Sequence, residues 1–398
     1  MSKIKPKIAL FLLFLVSILF FSNDFGLIDI EKTAIITAIA IDKAEDGEYL
    51  VTCQIAVPEA SNAVSENQKA QMSGKASTVA GALKTMGSLS GWFPQTIFCN
   101  LIIVGSDLIE QDVINVIDYF LKTMRVQDSA QLILAENKAK DLLTASTPLD
   151  NISSFAIQKI LLKNPGFDQD VCSVDIKTFC VGYYGDSKSS YMPIVKIISA
   201  EEGKKPSEES SGGQNSQSSQ EQGDTKTKGK NAFDATTTAL FLKGKKVGEL
   251  DKSLSHTFNL LKKSINGTAF SVDDVDGVNY LITVKMDKGD ICVKADENYL
   301  AVKIDVELYC QISDQTIAKS DSVFENNDVI NQKVISATQN QLTQNINDLL
   351  MVSQQTGCDF LGIKEKLYRF NYKQYSRYKD NYLQVMVPEI NVKVHGQS

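Results

Sequence analysis

Residues 300–312 read LAVKIDVELYCQI. Every second residue is apolar: Leu300, Val302, Ile304, Val306, Leu308, Cys310 and Ile312. Strand side chains alternate between two faces, so this run predicts a long strand with one face buried. Residues 280–286 and 291–293 read as strands ahead of it. Residues 327–353 predict a long amphipathic helix with Ile330, Val334, Leu342, Ile346, Leu349 and Leu350 inward. The ending LQVMVPEINVKV alternates again, but Pro388 has no amide hydrogen to donate and suits an edge strand. Further upstream, residues 236–242 and KGKKVGEL read as strand, turn and short strand, and residues 254–263 as a helix. Strands followed by a long helix predict an α+β unit over residues 232–398.

Ahead of that unit, residues 201–231 read EEGKKPSEESSGGQNSQSSQEQGDTKTKGKN, with no aliphatic, aromatic, Met or Cys residue. Such a stretch cannot bury enough surface to offset the entropy of ordering it. It predicts a disordered spacer that lets one module move relative to the other. Residues 28–200 form the other module. TAIITAIAID at 33–42 has a buried-strand pattern, KAEDG makes a turn, and Tyr49, Val51, Cys53, Ile55 and Val57 alternate, so a hairpin is expected with Gly47 at positive φ. Helices are predicted over 77–89, 107–124, 139–143 and 152–162, and strands over 98–104 and 130–135. The expected class is α+β: two mixed α/β modules, mainly antiparallel sheets packed with amphipathic helices, behind an N-terminal membrane-anchor helix, with three subdomains as the alternative.

The anchor expectation rests on MSKIKPKIALFLLFLVSILFFSND. Lys3, Lys5 and Lys7 precede an apolar run at 8–21 that only Ser17 interrupts, a secretory pattern. At 1.5 Å per residue that run covers about 21 Å, short of a hydrocarbon core of about 30 Å. Extension back to Ile4 or forward to Ile28 lets it span. No small-x-small cleavage site follows, so residues 1–27 are expected to be an uncleaved signal anchor rather than a cleaved signal peptide. The positive-inside rule then places the lysines in the cytoplasm and the rest of the chain outside.

The 398 residues carry 41 Lys+Arg against 48 Asp+Glu, a net charge of −7. That balance argues against a general nucleic-acid binder. The two histidines, His256 and His395, leave little for a His-rich metal site or a Ser-His-Asp triad. No phosphate-binding glycine loop, HExxH, EF-hand loop or GxSxG occurs. Asp273, Asp274 and Asp276 in SVDDVDG read as a polar turn, not a cation loop. The seven cysteines are scattered without a CxxC and read as small buried hydrophobes, with a Cys172–Cys180 disulfide as the alternative. No catalytic, cofactor or metal residue is expected.

Two aromatic groups are candidates for contact. In KLYRFNYKQYSRYKDNY, Tyr368, Tyr372, Tyr375 and Tyr382 recur at helical spacing among Lys366, Arg369, Lys373, Arg377 and Lys379. Packing on a sheet is the first reading, and a protein or membrane-surface contact the second. Trp92-Phe93-Pro94 is either an exposed partner anchor or a loop folded onto the core. The candidate partner or membrane contacts are therefore Trp92, Phe93, Tyr368, Tyr372 and Tyr375.

Five stretches occur in a telling order: IDIEKTAIITAIAIDKAEDGEYLVTCQIAVP, TIFCNLIIVGSDLIEQDVINVIDYFLKTMRV, ALFLKGKKVGEL, CDFLGIKEKLYRF and YLQVMVPEINVKVHG. Their order resembles the C-subunit family of spore germinant receptors, the Ger(x)C family, with Ala40 where that family usually has Gly and Asn100 where it often has His. Family members typically carry a lipid-modified cysteine before the first strand. SNDFGLIDIEK has none, so no lipidation cysteine is assigned and the uncleaved helix is the expected substitute. The resemblance implies a non-enzymatic subunit in spore germination, at the outer face of the spore inner membrane. It also implies assembly with integral-membrane germinant-receptor subunits of A and B type. The residues alone leave a rival, an extracytoplasmic protein that holds a small molecule in a cleft between modules.

Overall fold

The computed structural model describes residues 10–14, 16–17, 33–56, 70–123, 126–150, 152–162, 171–199, 231–262, 267–275, 277–316 and 330–396. The described strands form one sheet of nine and one of four. The first holds β1 (Thr33–Lys43), β2 (Tyr49–Ala56), β3 (Ala70–Ala76), β4 (Phe93–Gln95), β5 (Leu101–Val104), β6 (Gln131–Ala135), β7 (Ser189–Ser199), β8 (Asn231–Leu242) and β9 (Lys245–Leu250). Their order is β3-β2-β1-β5-β6-β7-β8-β9, with β4 beside the start of β1. Gly47 takes the positive φ expected in the β1–β2 turn.

Antiparallel pairs predominate over the two sheets, as expected, but the centre of the first is parallel. β1, β5, β6 and β7 run parallel, and antiparallel pairs flank them on both sides. The reason is burial on both faces. β5 is wholly buried LIIV, and β6 is QLILA with only its first residue partly open. On one face, α1 (Val79–Ser90), α2 (Ile114–Thr123) and α5 (Ile176–Tyr184) cover Ile39, Ile41, Ile102 and Val104. On the other, α3 (Ala139–Thr144) and α4 (Ser153–Leu161) cover Ala38, Ala40, Leu101 and Ile103.

The second sheet is β10 (Gly267–Val275), β11 (Val278–Ala295), β12 (Leu300–Gln315) and β13 (Met386–Gly396), in that order. As the alternation requires, Leu300, Val302, Ile304, Val306, Leu308 and Cys310 face the core. α7 (Gln332–Thr356) closes that core with Val334, Leu342, Ile346, Leu349 and Leu350, beside α6 (Lys252–Leu261), α8 (Ile363–Phe370) and α9 (Tyr372–Tyr378). β13 is an edge strand, as Pro388 suggests, but it lies parallel to β12, with Pro388 opposite Val302.

Local departures have local causes. Residues 106–108 form a short 3-10 turn and α2 starts only at Ile114, because Asp107 is used elsewhere: its Oδ2 accepts the Lys43 N–H at 2.9 Å. β11 is continuous through 278–295, with a bulge between Met286 and Lys288. Strand β10 runs on to Val275, so SVDDV is strand and Gly277 lies in a turn beyond it.

β7 and β8 are paired in register from Ser189↔Leu242 to Ser199↔Asn231. Residues 200–230 therefore connect two hydrogen-bonded neighbours of one sheet. Leu240 and Leu250 of that sheet also belong to the second core. A tether between two freely moving bodies does not fit this pairing. Asn231 is the first residue of β8, and the rest of the 201–231 spacer expectation lies outside the described residues, as does most of segment 1–27. Within that segment residues 10–14, 16 and 17 are helical, and Leu10, Phe11, Leu12, Leu13, Phe14 and Val16 are exposed. Among the described residues, no helix is long and apolar enough to cross a membrane.

Candidate functional site

Four of the five candidate residues line two separate grooves, Tyr368 and Tyr375 one and Trp92 and Phe93 the other, while Tyr372 lies outside both, against the Tyr368 ring. The first lies where the two cores meet and has a volume of about 510 Å³. One wall is α5 with the start of β7, including Val181, Ser189 and Tyr191. The other is Phe360, Tyr368 and Tyr375, with Lys262, Lys364 and Glu365 at polar positions.

The walls are set by polar contacts that the sequence did not announce. Asp175 caps α5 by accepting the Thr178 N–H at 2.6 Å. Gly182 lets α5 close on β7: a Cβ there would sit 2.3 Å from the Ser189 carbonyl oxygen. Ser190 Oγ donates to the Phe179 carbonyl at 2.6 Å. On the opposite wall Asp359 is buried, and its two carboxylate oxygens accept the Ile363 N–H at 2.8 Å and the Lys364 N–H at 2.7 Å. This carboxylate thus begins α8. Burial lifts its pKa above the usual carboxylate value, while the backbone donors pull against that rise. Its own N–H donates to Ser189 Oγ at 2.9 Å, which ties α8 to β7. Cys358 Sγ contacts the Phe241 carbonyl at 3.3 Å, and burial pushes this thiol up to about 12. Lys364 Nζ reaches the Asp186 carbonyl at 3.2 Å. Lys262 Nζ lies 5.6 Å from the Tyr191 ring centre and 5.8 Å from that of Phe258.

The tyrosine stripe divides. Tyr378 and Tyr382 are buried, and Tyr378 Oη donates to the Asp296 carbonyl at 2.5 Å. Tyr368 and Tyr372 are exposed, and Tyr375 is partly so. The Tyr368 ring meets Tyr372 and Tyr375 edge-on at 5.4 and 5.2 Å. Tyr378 and Tyr382 thus pack inward, while Tyr368 and Tyr372 lie open at the surface.

The second groove, about 440 Å³, runs between α1 and β4 and is lined by Leu83, Lys84, Trp92, Phe93, Pro94 and Tyr119 among others. Trp92 is 47% exposed and Phe93 55%, so this segment is not wholly folded onto the core. α1 ends at Gly91 in a left-handed cap, which turns the chain into β4.

The carboxylates at helix starts are engaged in structure. Asp42 accepts the Ala139 and Lys140 N–H groups at 2.6 and 2.9 Å, and Asp251 accepts that of Leu254 at 2.8 Å. His256 stacks on Phe270 and contacts Thr268, and His395 pairs with Glu307 at 2.8 Å. Among the described residues no three His, Cys, Asp or Glu side chains converge as metal ligands. All seven cysteines are free thiols, with Cys172 and Cys180 in different cores.

Comparison with known proteins settles the family. Residues 27–197 match the family model for the spore germination protein N-terminal domain, and residues 236–398 that for the spore germination B3/GerAC-like C-terminal region. The chain belongs to the spore germination GerAC family. Its C-subunit segments are those of germinant receptors, and its role is in spore germination. A solved structure described as the crystal structure of the GerBC protein has a similar fold, with a TM-score of 0.52 at 15% identity over 90% of this chain and 96% of that one. No curated protein matches. In this GerAC-family chain the first family segment ends within β7 and the second begins within β8, two strands that pair with each other.

Proposed function

We propose that this chain is the non-enzymatic, membrane-anchored C subunit of a nutrient germinant receptor. It works beside integral-membrane A- and B-type subunits at the outer face of the spore inner membrane. The observation that carries this reading is the pair of germination-family segments over most of the chain, interlocked through β7 and β8. The anchor is residues 1–27, where three lysines precede the apolar run and its helical residues 10–14 expose their side chains. A non-catalytic role fits the engagement of Asp42, Asp175, Asp251 and Asp359 as helix caps. Deleting the gene is expected to abolish germination with a particular nutrient and leave heat-resistant spores. Normal responses to every nutrient would contradict the proposal. Release of the protein from membranes by carbonate would contradict the anchor alone.

A second reading has its own support. The 510 Å³ groove between Val181 and the Tyr368–Tyr375 pair is large enough for a small ligand, with Lys262 and Glu365 as charged contacts. In that reading the chain is an extracytoplasmic small-molecule binding protein. Calorimetry of the full chain with amino acids, sugars and nucleosides separates the two. Saturable heat that Tyr368→Ala removes favours ligand capture.

A further inference from the structure

We infer that Leu89, Trp92 and Phe93, flanked by Ile97 and Phe98, settle into the headgroup layer of the bilayer that holds the N-terminal segment. The inference rests on the anchor reading and adds an orientation to it.

Exposure identifies the surface. Leu89 is 79% exposed, Ile97 47% and Phe98 56%, together with the half-open Trp92 and Phe93. Five large apolar side chains within ten residues are left open to solvent, and two of them, Trp92 and Phe93, line one groove.

Position identifies what it contacts. β4 lies parallel to the first residues of β1, with Thr33 opposite Phe93 and Ile35 opposite Gln95. Trp92 lines a small gap with Ala34 and Ile36, so it too sits over the beginning of β1. The proposed anchor ends at residue 27, and residues 28–32 separate it from Thr33. Five residues, however extended, reach at most about 20 Å. The end of the sheet that carries Phe93 therefore cannot stand far from the bilayer. Tyr368 and Tyr372 have no such tether.

Chemistry agrees with position. Tryptophan and phenylalanine favour the interface, where a ring is buried and the indole N–H stays near water. Lys84 lines the same groove, and its long stem can carry the ammonium to an anionic headgroup.

Trp92 is the one tryptophan of the chain, so its emission reports on this surface alone. The full chain is reconstituted into vesicles of phosphatidylethanolamine and phosphatidylglycerol, plain or brominated near the headgroup or deep in the acyl chains. Shallow bromines are expected to cut the emission by about half and deep ones less, with protection from aqueous iodide. Leu89→Ser with Phe93→Ser should restore iodide access while the chain still floats with the vesicles. If the chain floats but Trp92 stays open to iodide and unquenched by bromine, the inference fails and the anchor stands. Shielding from iodide without bromine quenching indicates a protein contact and also overturns it. If the chain does not float, the anchor reading and the inference fall together.

Discussion

The two aromatic surfaces differ in what surrounds the rings. At the Tyr368 groove the rings share their walls with Lys262, Lys364, Glu365 and Asp186, and the walls are pinned by Asp359 and Ser190. At the Trp92 surface, Leu89 near the end of α1, Phe93 on the short strand β4, and Ile97 and Phe98 in the turn after it are open apolar side chains. The first is a joint between two cores and the second an open face. Similar aromatic signals in a sequence thus serve opposite ends, and their polar neighbours separate them. Changes at the joint should cost stability, and changes at the face should cost contact.

The largest effect is expected at Asp359. Asp359→Ala removes both acceptors from the first turn of α8, in a buried site. Losing charge-assisted caps of this kind costs about 2–4 kcal/mol. Urea unfolding of the full chain in micelles should show that loss, and a variant as stable as the parent would remove Asp359 from the joint. Gly182→Ala comes next. Its Cβ would meet the Ser189 carbonyl at 2.3 Å and Ser190 Oγ at 2.6 Å, so α5 must lift from β7. Such overpacking costs about 1–3 kcal/mol. Faster hydrogen exchange at α5 and β7, with the Trp92 surface unchanged, would locate the damage.

A smaller effect depends on pH. Burial raises the Asp359 pKa in the folded chain above its unfolded value. As pH rises between those two values the unfolded carboxyl loses its proton first, so the parent loses stability; below both values its contribution is complete. Asp359→Asn has no such titration. Asp42 is raised by burial too, but it is present in both proteins and cancels. The stability gap between parent and Asp359→Asn should therefore shift in the parent's favour as pH falls from neutral into the acidic range. A gap that stays flat would show that burial does not shift this carboxyl.

Much of the fold was legible because its signals are local. The alternation of β12, the buried run of β1 and the inward stripe of α7 each follow from side-chain period alone. What stayed hidden depends on distant partners. β3 is AQMSGKA, poor in strand formers, and is a strand because β2 supplies its pairing. β7 contains Pro193, yet only Ile194 and Val195 pair with β6, so the missing N–H falls where that side is unpaired. The parallel centre could not be read from any single strand, since a continuous apolar run suits either direction. The site was legible as residue types but not as places. Tyr368 and Tyr375 were visible as an aromatic stripe, while Asp359 carried only the faint signal of an acid shortly before a helix. Nothing local indicated that its amide would meet Ser189, 170 positions earlier.

The smallest effect on stability is expected at the open face, and it sharpens the comparison most. Trp92→Ser and Phe93→Ser remove rings that are already about half exposed and hold no joint together. Surface changes of this kind usually stay within about 0.5 kcal/mol. The groove beneath is lined by Leu83, Pro94 and Tyr119, which remain in place to cover the sheet. Urea midpoints should therefore coincide with the parent, while the domain's contact with vesicles weakens, read as faster hydrogen exchange at α1 and β4. Matching midpoints with unchanged exchange would mean that the face touches nothing in vesicles. A loss of stability as large as that of Gly182→Ala would mean that Trp92 and Phe93 are core, and the two surfaces would then differ in exposure but not in kind.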